Sequence, residues 1–291
     1  MKHQPVIALR ALLVFVTAMS ANIGNLSSST HAAEKTALRL ATTTSVVDTG
    51  LAAFIFPDFE RALGCKVDAI AVGTGQALEI GKRGDADVVI VHARKLEDQF
   101  IADGHAKERR EVMYNDFIIA GPKDDPARAS AAKSAADAFK SIAAAQVPFF
   151  SRGDKSGTHT KELAIWAAAG IEPGKAMPWY NALGQGIREV LLSANEKGAY
   201  TLADRGTWLS LQSKLTHLRI IFGGGSAAEN PDKDLINRYA VMAVAPDKHP
   251  GVNHPLAAKF VEWLLLPETQ RKIGRFGVDK FGQSLFYPCV K

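Results

Sequence analysis

The sequence predicts an α/β protein built as two doubly wound α/β lobes joined by a two-strand hinge. Three observations carry that expectation. Strand-like and helix-like stretches alternate from residue 38 onward. Asp87-Val88-Val89-Ile90-Val91 is a near-continuous apolar run, the pattern of a parallel strand covered on both faces. After Gly121-Pro122 the alternation begins again, as a second α/β set would.

Taken in order, Leu38 to Thr42 reads as a strand, and Leu51 to Leu63 as a helix closed by Gly64. Lys66 to Val72 is the second strand, Gln76 to Lys82 a short helix, Asp87 to Val91 the central strand, and Leu96 to Ala102 helical. Glu111 to Ala120 is a longer strand. Residues 123–136 are polar and alanine-rich and are expected to form a surface connection. The second set places a helix over Phe139 to Ala144, a strand over Pro148 to Phe150, helices over Thr160 to Ala169 and Gly186 to Asn195, and a strand over Ala199 to Leu202. Phe222-Gly223-Gly224-Gly225-Ser226 and Asn230-Pro231 mark a loop. A strand at Arg238 to Val244 and an amphipathic helix at Leu256 to Leu266 follow. The strands near 111–120 and 238–245 are the candidate crossings between lobes. This divides the chain into 33–117 plus 239–291 as one lobe and 118–238 as the other.

The ends and the composition narrow the class. Lys2 and Arg10 precede the apolar run Ala11 to Val16, and Thr30-His31-Ala32 supplies small residues. That order predicts a secretory signal peptide over residues 1–32, cleaved after Ala32 or Ala33, and a periplasmic mature protein. Polar Asn22, Asn25 and Ser27 to Thr30 interrupt the run before it reaches membrane-spanning length. Losing Lys2 and Arg10 from the 35 basic residues leaves 33 against 30 acidic ones. Those cations are scattered, with no aromatic-interleaved stripe, so no nucleic-acid partner is expected. The chain carries two cysteines, Cys65 and Cys289, which an oxidising compartment would allow to pair.

The strand-to-helix junctions are where chemistry is expected, because parallel α/β sheets bind ligands at the carboxyl ends of their strands. Thr42-Thr43-Thr44-Ser45 follows the first strand, Gly73-Thr74-Gly75-Gln76 the second, and Arg152 with Ser156-Gly157-Thr158 follows Phe149-Phe150. Each junction opens a helix whose unpaired N–H groups and partial positive charge favour an anion. Glycine admits close approach and short hydroxyls add donors. Any one hydroxyl also serves as an ordinary helix cap; three such junctions with an arginine among them point to an oxyanion cleft, since the guanidinium fork suits tetrahedral oxyanions. Gly184-Gln185-Gly186-Ile187-Arg188 and Asp204-Arg205-Gly206-Thr207 are two further segments within reach. Catalytic patterns are poor. Ser130-Ala131-Ala132-Lys133 has the spacing of a serine–lysine pair without its companion motifs, and the eight histidines lack partners at ligand spacing. No enzyme, no cofactor and no protein-ligated metal is expected.

Several blocks occur together in one order: Thr42 to Ser45, Val72 to Leu78, Gly84 to Val88, Tyr114 to Phe117, Ser151 to His159 and Ala199 to Thr207. Together they resemble the tungstate-binding proteins of bacterial ABC importers, relatives of the periplasmic molybdate binders, over residues 38–245. The resemblance implies a type II periplasmic binding protein that closes two lobes on one tungstate or molybdate ion and delivers it, as a monomer, to a membrane permease. It implies ligands Thr43, Thr44, Ser45 and Thr74 in one lobe and Arg152, Ser156, Thr158, Tyr200 and Thr201 in the other. The run Arg152-x-Asp154-x-Ser156-Gly157-Thr158 is also similar to phosphate-binding proteins of the same fold, which keeps phosphate as the alternative ligand. An exported small-acid lyase or phosphatase is the alternative of another class. Tungstate near neutral pH only accepts hydrogen bonds, whereas phosphate retains a proton that a carboxylate would accept; no carboxylate adjoins the hydroxyl and glycine junctions of the first lobe, where Asp48 is nearest.

Overall fold

The computed structural model describes residues 36–174 and 176–289. The signal-peptide reading of residues 1–32 lies outside them. In chain order the elements are β1 (Ala37–Thr43), α1 (Thr44–Asp48), α2 (Leu51–Leu63), β2 (Lys66–Val72), α3 (Thr74–Lys82), β3 (Val88–Val91), α4 (Arg94–Ala102) and β4 (Arg110–Pro122). Next come α5 (Ala135–Ala145), β5 (Phe149–Ser151), α6 (Gly157–Ala168), β6 (Tyr180–Ala182), α7 (Ile187–Lys197), β7 (Thr201–Asp204), α8 (Arg205–Leu211) and β8 (Leu218–Phe222). The chain ends with β9 (Ile236–Ala243), α9 (His254–Leu265), α10 (Pro267–Arg275), α11 (Val278–Phe281) and β10 (Tyr287–Pro288).

Two parallel trios organise the sheets. In the first, β1 pairs in parallel with β2 on one side and β3 on the other. In the second, β5 pairs in parallel with β6, and a parallel bridge from Phe149 to Tyr200 sets it beside the start of β7. Both trios therefore have the order second–first–third, and both end against a strand running the other way: β9 against β3, and β4 against β7. The parallel sheet expected from the βαβαβ order stops at β3, because a crossing strand returns antiparallel at its flank. The same holds at β7.

β4 takes part in both regions. Its first half, Arg110 to Asp116, pairs with β9, while Phe117 to Pro122 pairs with β7 and β8. The boundaries expected at 117/118 and 238/239 fall inside β4 and β9. Helix α2 follows the sequence signal to the residue, with Gly64 in the left-handed conformation (φ 64°) closing it. Its apolar face, Leu51, Ile55 and Phe59, is buried against Phe260 and Trp263 of α9. Aromatic packing of Phe139, Phe149 and Trp166 fills the second region.

One expectation is corrected. Residues 123–136 are not wholly a surface connection. Asp125 is only 7% exposed and accepts bonds from the Ala129 and Ser130 amides, the Ser130 hydroxyl and the Tyr200 hydroxyl, so a buried carboxylate pins the segment. Between Asp204 and the Phe222 loop, where the sequence marks no element, the chain forms α8 and β8, and β8 adds to the edge of β4. Cys65 is buried in the core and Cys289 lies beside β10, where its amide donates to the Val112 carbonyl. No helix of the described residues is long and apolar enough to cross a membrane.

Candidate oxyanion site

A cavity of about 770 Å³ opens where the carboxyl ends of the two parallel trios face each other. Every parallel strand contributes to its wall: Thr43 to Ser45 after β1, Gly73-Thr74 after β2, and His92 after β3. From the second trio come Arg152 with Ser156 to Thr158 after β5, Gly186 to Arg188 after β6, and Asp204 at the end of β7. The fold thus aims the amino ends of α3, α6 and α7 at one volume, which strand-end placement in α/β sheets produces.

The strand-end loops of the first region present neutral donors, while Asp48, Arg275, Asp279 and Lys280 also line the cavity. Thr43 Oγ1 and Ser45 Oγ lie 3.0 Å apart, and Ser45 Oγ shares a 2.8 Å hydrogen bond with the Tyr239 hydroxyl. Asn115 Nδ2 donates to that same phenol at 3.4 Å, and Asn237 Nδ2 donates to Asn115 Oδ1 at 2.8 Å. Thr42 turns inward, donating to the Ile90 carbonyl, and takes no part in the wall. Thr74 is the exception to an otherwise satisfied network. It is 8% exposed, stands at the first position of α3 after the Gly73 cap, and its hydroxyl finds no hydrogen-bond partner among the described residues. A buried unpaired hydroxyl costs about 1–3 kcal/mol, and this one belongs to a residue that lines the cavity, which makes it a candidate ligand group.

The second-region wall brings charge. Arg152 Nε and Nη2 donate to Asp154 Oδ2 at 3.1 and 2.5 Å, which orients the guanidinium and leaves Nη1 reaching toward Thr158 Oγ1 at 3.5 Å. Asp154 Oδ1 accepts from the Ser156 amide, and Ser156 Oγ caps α6 by accepting from the His159 amide at 3.3 Å. Burial works to raise the Asp154 carboxyl, but the Ser156 hydroxyl and amide and the Arg152 guanidinium outweigh it and hold it below the usual aspartate range. Gly153 allows the reversal: it is left-handed (φ 63°), and a Cβ there would sit 2.8 Å from the Ala182 Cβ.

Three groups on the wall went unread in the sequence: His92, Asn237 and Tyr239. The His92 ring lies 4.6 Å from the Tyr239 ring and against Gly157, where a Cβ would meet Cε1 at 2.8 Å. Burial pushes the His92 imidazole down to about 4, against an opposing hydrogen bond with Asn237, so it is neutral at ordinary pH. Burial likewise raises the Asp204 carboxyl, opposed by the Thr207 amide and hydroxyl, which donate to its two oxygens at 2.8 Å each. These residues end strands with apolar periodicity and carry no glycine or turn signal, so no local pattern marks them.

Of the nine residues expected as ligands, Thr43, Thr44, Ser45, Thr74, Arg152, Ser156 and Thr158 line the cavity. Tyr200 and Thr201 do not join them. The Tyr200 hydroxyl donates to Asp125 Oδ1 at 2.7 Å and accepts from the Ala127 amide, inside the core, and Thr201 is 1% exposed within β7. The Gly186–Arg188 segment does reach the wall, at the start of α7.

Two facing trios with a polar, anion-favouring cleft between their helix ends define the architecture of a periplasmic binding protein. Residues 28–268 match the model of the PBP superfamily domain, and the chain belongs to that superfamily. A putative ABC transporter anion-binding protein of Haloferax volcanii is 45% identical over 255 residues, covering 86% of this chain and 71% of that one. The tungstate-binding protein TupA of Peptoclostridium acidaminophilum is 43% identical over 256 residues, covering 87% and 86%. Among solved structures, the tungstate-binding protein TupA of Desulfovibrio alaskensis G20 superposes with a TM-score of 0.78 at 39% identity, covering 88% of this chain and all of that one. Within the superfamily, the chain is a member of the tungstate-binding protein family.

Proposed function

We propose that the protein is the extracytoplasmic binding component of an ABC importer, capturing tungstate, and molybdate with it, in the cleft and delivering the ion to a membrane permease. The unpartnered Thr74 hydroxyl, buried at the amino end of α3 in a residue that lines the cavity together with Ser156 and Thr158, is the observation that carries this reading. Thr43, Thr44, Ser45 and Thr74 supply donors from one side; Arg152, Ser156 and Thr158 supply charge and donors from the other. Tetrahedral dianions accept at four oxygens, and this wall is rich in donors.

Donors dominate the strand-end loops of the cleft, which suits a fully deprotonated anion; Asp154 is engaged by Arg152 and Ser156, and Asp204 by Thr207. The relatives are named as binding proteins, and binding without turnover is the function that reading assigns. Export to the periplasm after cleavage near Ala32, action as a monomer, and movement of 33–117 plus 239–291 against 118–238 about β4 and β9 complete the proposal.

Calorimetric titration with tungstate, molybdate, sulfate and phosphate in turn tests it. One-to-one heat with tungstate and little with sulfate or phosphate is expected. Heat with phosphate alone would reassign the ligand, and silence with all four would remove the reading. Scattering profiles that are identical with and without tungstate would remove the lobe movement.

A further inference from the structure

Helix α6 carries a second feature one turn below its anion-facing end. Glu162 stands four residues after Thr158, on the same helical face and about 6 Å further along the axis. It is 1% exposed. Its carboxylate is held by neutral donors only: the Tyr180 hydroxyl at 2.9 Å, Trp166 Nε1 at 3.3 Å, and the Ser151 hydroxyl. No cation pairs with it among the described residues. Ser151 in turn accepts from the Gly153 amide at 3.1 Å, at the root of the loop that presents Arg152. One buried carboxyl therefore joins β5, β6 and α6 beneath the Arg152–Thr158 loop.

We propose that Glu162 is a positioning residue for anion capture: it ties the Arg152–Thr158 loop to the floor of the second region, and takes up a proton when a dianion settles at the amino end of α6. The proposal rests on the oxyanion reading above. A buried carboxylate and a bound dianion draw on the same partial positive charge of one helix, and with only neutral donors on the carboxyl the cheaper arrangement is to neutralise it. Burial, with a smaller push from the Asp154 carboxylate, raises Glu162 to about 7 against its three donors, so the proton is exchangeable at working pH. The groups that act on it are Ser151 on β5, Tyr180 on β6, Trp166 on its own helix and the Asp154 carboxylate on the loop; His159 and Lys161 precede it on α6, where the Lys161 amine donates to the Asp234 carbonyl. Elements α5 and β7 bring apolar side chains such as Phe139 and Leu202.

The sign follows from linkage. A bound dianion raises the Glu162 pKa further, so affinity is highest with the carboxyl protonated and falls as pH rises from the free value toward the bound one. One linked proton limits the slope to about tenfold per pH unit. The test is calorimetry with tungstate in buffers of differing ionisation enthalpy at pH 7, with affinity followed from about pH 6.5 to about pH 8.5. The wild-type protein is expected to absorb a fraction of a proton per ion and to lose affinity about three- to tenfold across that range. Glu162→Gln keeps the shape and removes the charge; it should flatten the profile and abolish proton uptake at an unchanged melting temperature. Tyr180→Phe removes one donor from the carboxylate and should move the inflection to higher pH. Binding without uptake in the wild type overturns the proposal alone. Uptake that persists in Glu162→Gln overturns it and points to His159, and so does a Tyr180→Phe profile that does not move. No heat at any pH removes the oxyanion reading and this proposal together.

Discussion

Two arginine–aspartate pairs in this molecule are alike in chemistry and do opposite things. Arg205 pairs with Asp116 through Nε and Nη2 at 2.8 and 2.6 Å, and the same guanidinium donates to the Gly223 and Gly224 carbonyls. Asn230 Nδ2 adds a bond to Asp116 and another to the Phe117 carbonyl. The two side chains are 3% and 0% exposed. Arg152 and Asp154 are 19% and 24% exposed, sit two residues apart on one loop, and leave one guanidinium nitrogen directed at Thr158 across the cavity wall. The first pair has used its donors to lock β4 to the turn after β8 and to the start of α8. The second uses its aspartate to aim the arginine and holds donors in reserve. Saturation separates a brace from a ligand, and the partner's place in the fold decides it.

The comparison breaks most visibly at Asp116. Replacing it by alanine leaves Arg205 as a buried charge without its counter-ion, and such losses cost about 3–5 kcal/mol. Asp116→Ala is expected to lower the unfolding free energy by that much, read as a fall in the denaturation midpoint. A midpoint within experimental scatter of the wild type would show that Gly223 and Gly224 alone hold the guanidinium.

The effect of Arg152→Ala falls on the other observable. Its ion pair is solvent-accessible and adds little to stability, so the denaturation midpoint should hold. Tungstate affinity should fall by about 2–5 kcal/mol, the range for truncating one member of a charge pair that a ligand buries. Unchanged tungstate affinity would take Arg152 out of the site, and a large stability loss would make the two pairs equivalent after all.

How far this was legible in the sequence follows from the range of each interaction. The loops after β1, β2 and β5 were readable because a cap, a glycine and short hydroxyls at a strand-to-helix junction are neighbours in the chain. Arg205 was not separable from Arg152, since its partners Asp116 and Gly223 lie 89 and 18 positions away. Tyr200 was misplaced for the same reason: its partner Asp125 is 75 positions distant, inside a stretch whose alanines suggested a surface. His92 and Tyr239 gave no signal, because the contact that matters is between the ends of two strands. β6 and β8 escaped notice as short strands whose pairing partners, β5 and β4, supply the order that their own residues do not.

The smallest expected effect tests the neutral wall, and it is also the sharpest. Thr74→Val keeps the branched shape and removes only the hydroxyl. That hydroxyl is buried and has no partner among the described residues, so its removal should leave stability unchanged or slightly raised. A hydrogen bond from it to a charged oxyanion is worth about 1.5–3 kcal/mol, so affinity should fall by up to that amount, less than for Arg152→Ala. The two variants then separate the walls. If Thr74→Val lowers affinity without lowering stability, the neutral side of the cleft grips the ion through groups that the free protein leaves unpaired. Equal affinity with a stability gain would instead make the buried hydroxyl a cost carried for the position of α3, and the grip would belong to the charged loop alone.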